Sequence, residues 1–400
     1  QHSEWRYLLI GGLSAGMAVI TKGPVALLLI GLSFFVYWVL QRFRMFFSIG
    51  HILAFGLSSL LASALLYGIE TIKNGPWFIT EFIKYNYRLY NIPDAGHGGF
   101  PGYHFVVLLV GCFPASLFCI RAMGPMPAAN PVQSDFRRWM IILFWVVLIV
   151  FTIVKSKIVH YSSLCYFPLT FLAAVAIYEM VQGRMRFPKW IKIGTGVLGI
   201  LIGIVPLILP YMAQHKEQYL RPLLSKDPFA LKNLDAEVHW TGTEWLVGVF
   251  VIAYIITVLL LWKRQRLVQG FTLLLGGTAF TVMFILWGFI GRVELFSQGA
   301  AISFFESLAG KDVYVIPFGY RTYAHYFYPK LQPENKPKFY YAEDKDRGPD
   351  EWREFLLTQP QPKDVYVISK INKTDGLEKY PALKKIGEQN GFVFYKKEKG

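Results

Sequence analysis

Residues Ile20-Thr21-Lys22-Gly23-Pro24, ITKGP, interrupt what would otherwise be one long apolar segment, and the meaning of that interruption decides the fold. Apolar runs lie on both sides, at about 6 to 20 and 24 to 40, each short of or close to bilayer length. Glycine followed by proline breaks a helix, so Thr21 to Pro24 reads as the tight turn of a hairpin at one membrane face. The composition agrees: 54% of the 400 residues are hydrophobic, and the mean hydropathy is positive, which a soluble globular chain seldom shows. Further apolar stretches at 48 to 69, 103 to 120, 138 to 154, 161 to 181, 190 to 212, 243 to 262 and 268 to 290 bring the expectation to about nine spans of a polytopic helical bundle.

Orientation follows from the basic residues of the short connections, which are retained on the cytoplasmic side. Arg42 and Arg44, then Arg121, Arg137 and Arg138, then Arg184, Arg186, Lys189 and Lys192, then Lys263, Arg264 and Arg266 mark one face. The opposite, extracytoplasmic face then holds Lys22, residues 71 to 102, the turn Lys155 to His160, the loop 213 to 242 and everything after about 292. The formal charge of +15 comes from this basic fringe, which attracts anionic lipid, and from a lysine-rich tail. It does not imply nucleic acid. The three cysteines, Cys112, Cys119 and Cys165, fall inside expected spans, so no disulfide framework is expected. Residue 1 is Gln with no signal sequence behind it, and the chain reads as cut from a longer one.

The last hundred residues change character. Short β-rich runs at Asp312 to Pro317, Lys338 to Tyr341, Asp364 to Ser369 and Phe392 to Tyr395 alternate with helical patterns at about 320 to 328, 349 to 358 and 375 to 388. That alternation predicts a soluble α/β domain with a largely parallel sheet. Residues 1–291 form the membrane bundle in this reading and 292–400 the soluble domain. The hexapeptide KDVYVI occurs at Lys311 to Ile316 and again at Lys363 to Ile368, as a repeated βα unit or by convergence of buried strands would give.

Polar residues at membrane depth are expensive and therefore informative. Lys22 is either an interfacial anchor or an ammonium held at a cavity mouth to meet an anionic headgroup. In Pro76 to Phe105, an amphipathic interfacial helix carrying Glu81, Lys84 and Arg88 is followed by a Gly- and Pro-rich loop in which Asp94, His97 and His104 can converge. Arg88, Asp94 and His97 offer an anion ligand, a carboxylate and a metal ligand or proton carrier. The turn KSKIVHY collects Lys155, Lys157, His160 and Tyr161 at one end of a span. Three basic places on one face point to a shared anion, and the anion at a membrane face is a lipid phosphate.

Three stretches, GLSAGMAVITKGPVALLL, YNYRLYNIPDAGHGGFPGYHFVVLLVGCFPAS and KSKIVHYSSLCYFPLTFLAA, resemble the core of the bacterial aminoarabinose transferase and protein mannosyltransferase family of the GT-C superfamily. The resemblance is close over roughly residues 5 to 180. It implies a bacterial inner-membrane glycosyltransferase that takes a sugar from a polyprenyl phosphate carrier and passes it, with inversion, to a lipid A-like, protein or glycan acceptor at the outer face. It also implies that Lys22, Arg88 or an arginine near it, and Tyr161 serve the carrier's phosphate, to which the charge that develops on the leaving oxygen adds Lys157 as a further cation, and that His97, with Asp94 nearby, lies in a donor or metal region where a divalent ion is a candidate cofactor. The family's catalytic aspartate lies in a first extracytoplasmic loop with no counterpart ahead of Lys22, so the N-terminal part that would hold it is expected to be missing, with Asp94 as a candidate substitute. The readings set against this one are a transporter or lipid flippase and a noncatalytic membrane scaffold.

Overall fold

The structure, a computed structural model, describes residues 2–45, 47–91, 98–127, 130–331 and 349–400. In chain order the helices are α1 (His2–Lys22), α2 (Val25–Leu40), α3 (Ile49–Asn74), α4 (Trp77–Asn91), α5 (Tyr103–Gly111), α6 (Ala115–Met123), α7 (Pro131–Ile153), α8 (Tyr166–Val181), α9 (Lys189–Gln214), α10 (Lys216–Leu224), α11 (Pro228–Asn233), α12 (Leu246–Lys263), α13 (Leu267–Ile285), α14 (Gly291–Ser297), α15 (Gly299–Ser307), α16 (Ala324–Phe327) and α17 (Pro349–Thr358). The strands are β1 (Tyr314–Phe318), β2 (Val365–Lys370), β3 (Lys384–Gln389) and β4 (Phe392–Lys397). A 3-10 segment, Val159–Cys165, precedes α8, and a π-helical segment, Leu286–Ile290, follows α13.

Every apolar stretch of the sequence is helical, but not every one is a span. Among the described residues six helical segments are long and apolar enough to cross a bilayer, starting with Ile49–Lys73, and α5 with α6 makes a seventh if the pair is one span. The chain is a multi-pass membrane protein with fewer full-length spans than the expected nine. The stretch 103 to 120 is the clearest correction, since α5 and α6 are bent by 114° instead of forming one straight helix. Pro114 has no N–H to give to the preceding turn, and the Ser116 hydroxyl bonds the Leu109 carbonyl at 2.7 Å in place of the lost helical partner.

The described residues divide into two compact units, Gln1–Leu198 with Val258–Leu275, and Gly199–Thr257 with Gly276–Gly400. In the first, α1 and α3 run parallel at backbone contact. A Cβ at Gly12 would stand 2.5 Å from the Phe55 carbonyl oxygen, and one at Gly16 would stand 2.3 Å from that of Ser59. Gly12-x-x-x-Gly16 is therefore a flat face on which a second helix lies, as small residues four apart provide in lipid. At one end of this unit Tyr37 of α2 stacks on Trp139 of α7 at 4.2 Å and donates to Asp135 at 2.9 Å. Phe118, Phe187, Trp262 and Phe271 pack together where α6 ends, α9 begins, α12 ends and α13 begins. Each aromatic set lies beside basic connections of the face marked by Arg42.

In the second unit Gly199 and Gly203 of α9 repeat the device against Ile255, Ile252 and Val251 of α12. The C-terminal α/β part is built on a four-stranded sheet in the order β1-β2-β4-β3. Its two apolar faces are filled separately. Ala300, Ala301, Phe305 and Leu308 from α15 and its C-terminal flank cover the face of Val315, Ile368, Phe392 and Phe394, while Leu356 and Leu357 of α17 cover the face of Ile316, Val365 and Val367. β1 and β2 pair in parallel, which puts the two KDVYVI copies on neighbouring strands, but β2 with β4 and β3 with β4 are antiparallel. The sheet is mixed, correcting the largely parallel expectation.

The helix expected at 375 to 388 is also corrected, because Lys384–Gln389 is β3. Asn390 and Gly391, both at positive φ, turn the chain into β4, the left-handed pair that a two-residue hairpin requires. The expected strand Lys338 to Tyr341 lies outside the described residues. Of the helix expected at 320 to 328, only Ala324–Phe327 is helical, whereas Pro349–Thr358 matches its expectation.

Candidate functional site

The hairpin expected from ITKGP is present, and its turn carries an exposed lysine. α1 ends at Lys22, and Gly23, at φ +76°, gives its N–H to the Val19 carbonyl at 2.8 Å, the left-handed cap that glycine adopts freely. Pro24 begins the next helix, where its missing N–H costs nothing. Gly23 is buried and Lys22 is exposed. The reason is α4: a Cβ on Gly23 would stand 2.5 Å from the Phe82 ring. Tyr67 of α3 donates to the same Val19 carbonyl at 3.1 Å, and its ring lies 5.9 Å from Phe82 and 6.0 Å from Phe78. Aromatic side chains from α3 and α4 thus clamp the turn that presents the ammonium.

The turn KSKIVHY sorts its cations by direction. Lys155 and His160 are exposed, whereas Lys157 is turned inward and buried. Its Nζ donates to the carbonyls of Phe151, Thr152 and Val154 at 3.1, 2.6 and 2.6 Å. All three ammonium protons close the C-terminus of α7, where four carbonyls lack helical partners and the dipole favours a cation. Burial lowers the pKa of Lys157 from its ordinary value. Burial lowers the pKa of His160, and the charge of Lys22 on the α1 tip lowers it further. Tyr161 follows, its ring 5.4 Å from Phe151 and 5.1 Å from His160.

Beneath this turn lies His104, fully buried, with Nδ1 3.2 Å from the Ser162 hydroxyl. Ser162 gives its own proton to the Val159 carbonyl at 3.3 Å, so it accepts from His104, which places the imidazole proton on Nδ1. The start of α5 is thereby pinned to the segment that bears His160 and Tyr161. Gly99 completes the packing, since a Cβ there would stand 3.0 Å from the Lys157 stem. Phe82 is a contributor that sequence reasoning did not single out; His104 and His160 were named within their motifs, with nothing to say which way each points.

Arg88 sits on α4, and only its backbone is described. Asp94 and His97 lie outside the described residues. Among the described residues no three His, Cys, Asp or Glu side chains gather as a metal site.

No known family profile matches the chain. The undecaprenyl phosphate-alpha-4-amino-4-deoxy-L-arabinose arabinosyl transferase of Pectobacterium carotovorum subsp. carotovorum (strain PC1) is 26% identical over 226 residues, covering 52% of this chain and 38% of its own length. The enzyme of the same name from Erwinia tasmaniensis is 25% identical over 246 residues, covering 58% of this chain and 42% of its own length. The chain therefore spans about two fifths of the curated relatives it matches. The crystal structure of ArnT from Cupriavidus metallidurans bound to undecaprenyl phosphate superposes with a TM-score of 0.62 over 98% of this chain and 69% of that one, at 15% identity. The chain has the ArnT fold. The apo form of the same ArnT gives a TM-score of 0.60. A polytopic helical bundle followed by a C-terminal α/β domain is the architecture, as expected from the sequence.

Proposed function

We propose that the chain serves a membrane glycosyltransferase that moves a sugar from a polyprenyl phosphate carrier to a lipid A-like, protein or glycan acceptor at the outer face of a bacterial inner membrane. In this topology residues 1–291 are the bundle and 292–400 lie on the extracytoplasmic side. The observation that carries the reading is the exposed Lys22 ammonium, clamped at a hairpin tip with His160 as its electrostatic neighbour and Tyr161 beside it. The names of the similar proteins supply the chemical class: the curated relatives use an undecaprenyl phosphate-linked aminoarabinose, and ArnT from Cupriavidus metallidurans binds undecaprenyl phosphate.

The chemistry follows from charge. As the acceptor oxygen attacks the anomeric carbon from the opposite face, the bond to the carrier's phosphate oxygen breaks and its electron pair remains on that oxygen. A preplaced cation stabilises this developing charge more than it stabilises the bound donor, which lowers the barrier. Lys22 is that cation, Arg88 adds a second, and the Tyr161 hydroxyl adds a hydrogen bond. Lys157 acts through the turn: by closing α7 it fixes where the 3-10 segment begins. Proton removal from the acceptor falls to a carboxylate, which the family resemblance puts in a first extracytoplasmic loop, with Asp94 as the substitute within this chain.

The test measures polyprenyl phosphate release from radiolabelled polyprenyl phosphosugars by the full-length protein in nanodiscs, with Lys22→Ala beside the wild type. Sugar-dependent release lost in Lys22→Ala at unchanged melting temperature is expected. Equal release by both proteins would reduce Lys22 to an interfacial anchor. A properly folded wild type that releases carrier from no donor would favour a transporter or scaffold.

A further inference from the structure

A second feature of the first unit runs along α1, α2 and α3 toward the end opposite Lys22. Leu8, Leu27, Phe34, Phe35, Trp38 and His51 are among the side chains around a cleft of about 470 Å³ between α1, α2 and α3. Leu27 lies within two helical turns of Lys22, whereas Leu8, at nearly four turns or roughly 21 Å at 1.5 Å per residue, and Trp38 and His51 mark the far end, so the cleft runs along the helices toward the Arg42 end. Gly31 forms part of the wall, and a Cβ there would meet nothing within 4 Å.

The few polar groups of this apolar cleft share one character. The buried Trp38 Nε1–H has no hydrogen-bond partner among the described residues. His51 accepts the Ser48 N–H on Nδ1 at 3.4 Å, which leaves its ring proton on Nε2 as a donor. No carboxylate is among the described lining residues. Arg42 and Arg44, both exposed, stand in the turn after α2, and the chain enters the cleft wall at Met45 directly after Arg44. Donors and cations at the rim of an apolar slot fit a molecule with a hydrocarbon body and an anionic, acceptor-rich head. Basic pockets between membrane helices bind such lipids.

We propose that this cleft seats one anionic diacyl phospholipid from the leaflet on the Arg42 side. Its acyl chain lies between α1, α2 and α3, its phosphate meets Arg42 and Arg44, and an oxygen of its head or ester accepts from Trp38 Nε1. The sugar carrier is not the proposed occupant: on the function proposed above its phosphate sits at the Lys22 end, whereas the donors and cations of the cleft, Trp38, His51, Arg42 and Arg44, lie at the other end.

The test uses the full chain, delipidated in detergent, titrated separately with phosphatidylglycerol and phosphatidylcholine while bound lipid is counted by native mass spectrometry. One phosphatidylglycerol per chain is expected, with Arg42→Gln/Arg44→Gln weakening it about thirtyfold, to the level of phosphatidylcholine. Gly31→Leu projects into open space, so it is expected to melt like wild type and to expel the lipid; if it melts early, the arginine pair decides. Equal retention of both lipids by the wild type, or an unchanged lipid count in Gly31→Leu, would overturn the proposal. So would displacement of phosphatidylglycerol by an equal concentration of polyprenyl phosphate, which would give the cleft to the carrier, or pairing of two copies of the chain through the cleft.

Discussion

Two lysines of the candidate site look alike in the sequence and differ in what surrounds them. Lys22 is exposed and free of a helix-capping role, whereas Lys157 donates all its protons to α7 carbonyls. Lys157→Met keeps the stem and removes the charge, leaving those carbonyls to lose their donor at about 1–3 kcal/mol. Its expected signature is a lowered melting temperature with a loss of transfer that tracks the unfolding, and a Lys157→Met protein as stable as wild type would contradict the cap. Gly23 is constrained twice, by φ +76° and by the Phe82 ring 2.5 Å from its missing Cβ. Gly23→Ala is therefore expected to cost about 1–3 kcal/mol and to raise KM for the donor, because the tip that presents Lys22 must shift. Thermal melting beside donor titration checks both halves of that statement.

At the scale of elements, small residues decide how near the helices come. Gly16→Leu would drive a side chain into the Ser59 backbone, which cannot rotate away, whereas Gly31→Leu enters open space. The first is expected to melt well below wild type and the second to match it, although both substitute the same side chain into an apolar helix; equal melting temperatures would mean that α1 and α3 are not in backbone contact. Helicity along 6 to 40 was legible from hydrophobicity and the Gly-Pro break, but the choice of α3 as the partner of α1 was not, because a GxxxG face names no partner. The same limit applies to 103 to 120. Its apolarity is that of a span, and the bend depends on Pro114 and on Ser116 finding the Leu109 carbonyl. At 375 to 388 the period resembled a helix, and the Asn390-Gly391 turn overrode it by pairing β3 with β4.

At the scale of the molecule, two buried titratable groups outside the spans set the acid limit of stability. Burial pushes His325 down to about 4, against a smaller opposing hydrogen bond to the Thr322 backbone carbonyl. Its folded pKa lies below the unfolded value of about 6.5, so the unfolded chain binds the proton first, and stability present above about pH 6.5 is lost as the pH falls toward 4, by about 3 kcal/mol. Burial of Glu244 by itself raises its pKa, but hydrogen bonds from the Thr241 hydroxyl and from backbone N–H groups, with the charge of Arg292, outweigh it and hold the carboxyl at about 2. Arg292 lies 2.7 Å away and also donates to the His239 carbonyl at 3.0 Å, tying the loop before α12 to the start of α14. That carboxylate's contribution, also about 3 kcal/mol, is present above about pH 4.5 and is lost as the pH falls toward 2. Denaturant unfolding from pH 7 to pH 3 is expected to show the first slope, absent in His325→Phe, followed by the onset of the second, absent in Glu244→Gln. A flat curve between pH 6.5 and 4 in the wild type would contradict the first assignment.

The sequence by itself determined that this chain lives in a membrane, that most of its apolar stretches are helical, that an α/β domain follows them, and that three short motifs resemble those of polyprenyl-phosphate-dependent transferases. Those are properties of composition, period and local motif, which each residue carries regardless of its neighbours in space. Only the tertiary structure decided that Lys22 faces outward beside His160, that Lys157 faces inward to close α7, that His104 holds the segment bearing Tyr161, and that α1, α2 and α3 leave a donor-lined cleft at their far end. The direction of a long side chain is set by which carbonyls, rings and charges reach it from other elements, and hydropathy holds no record of them.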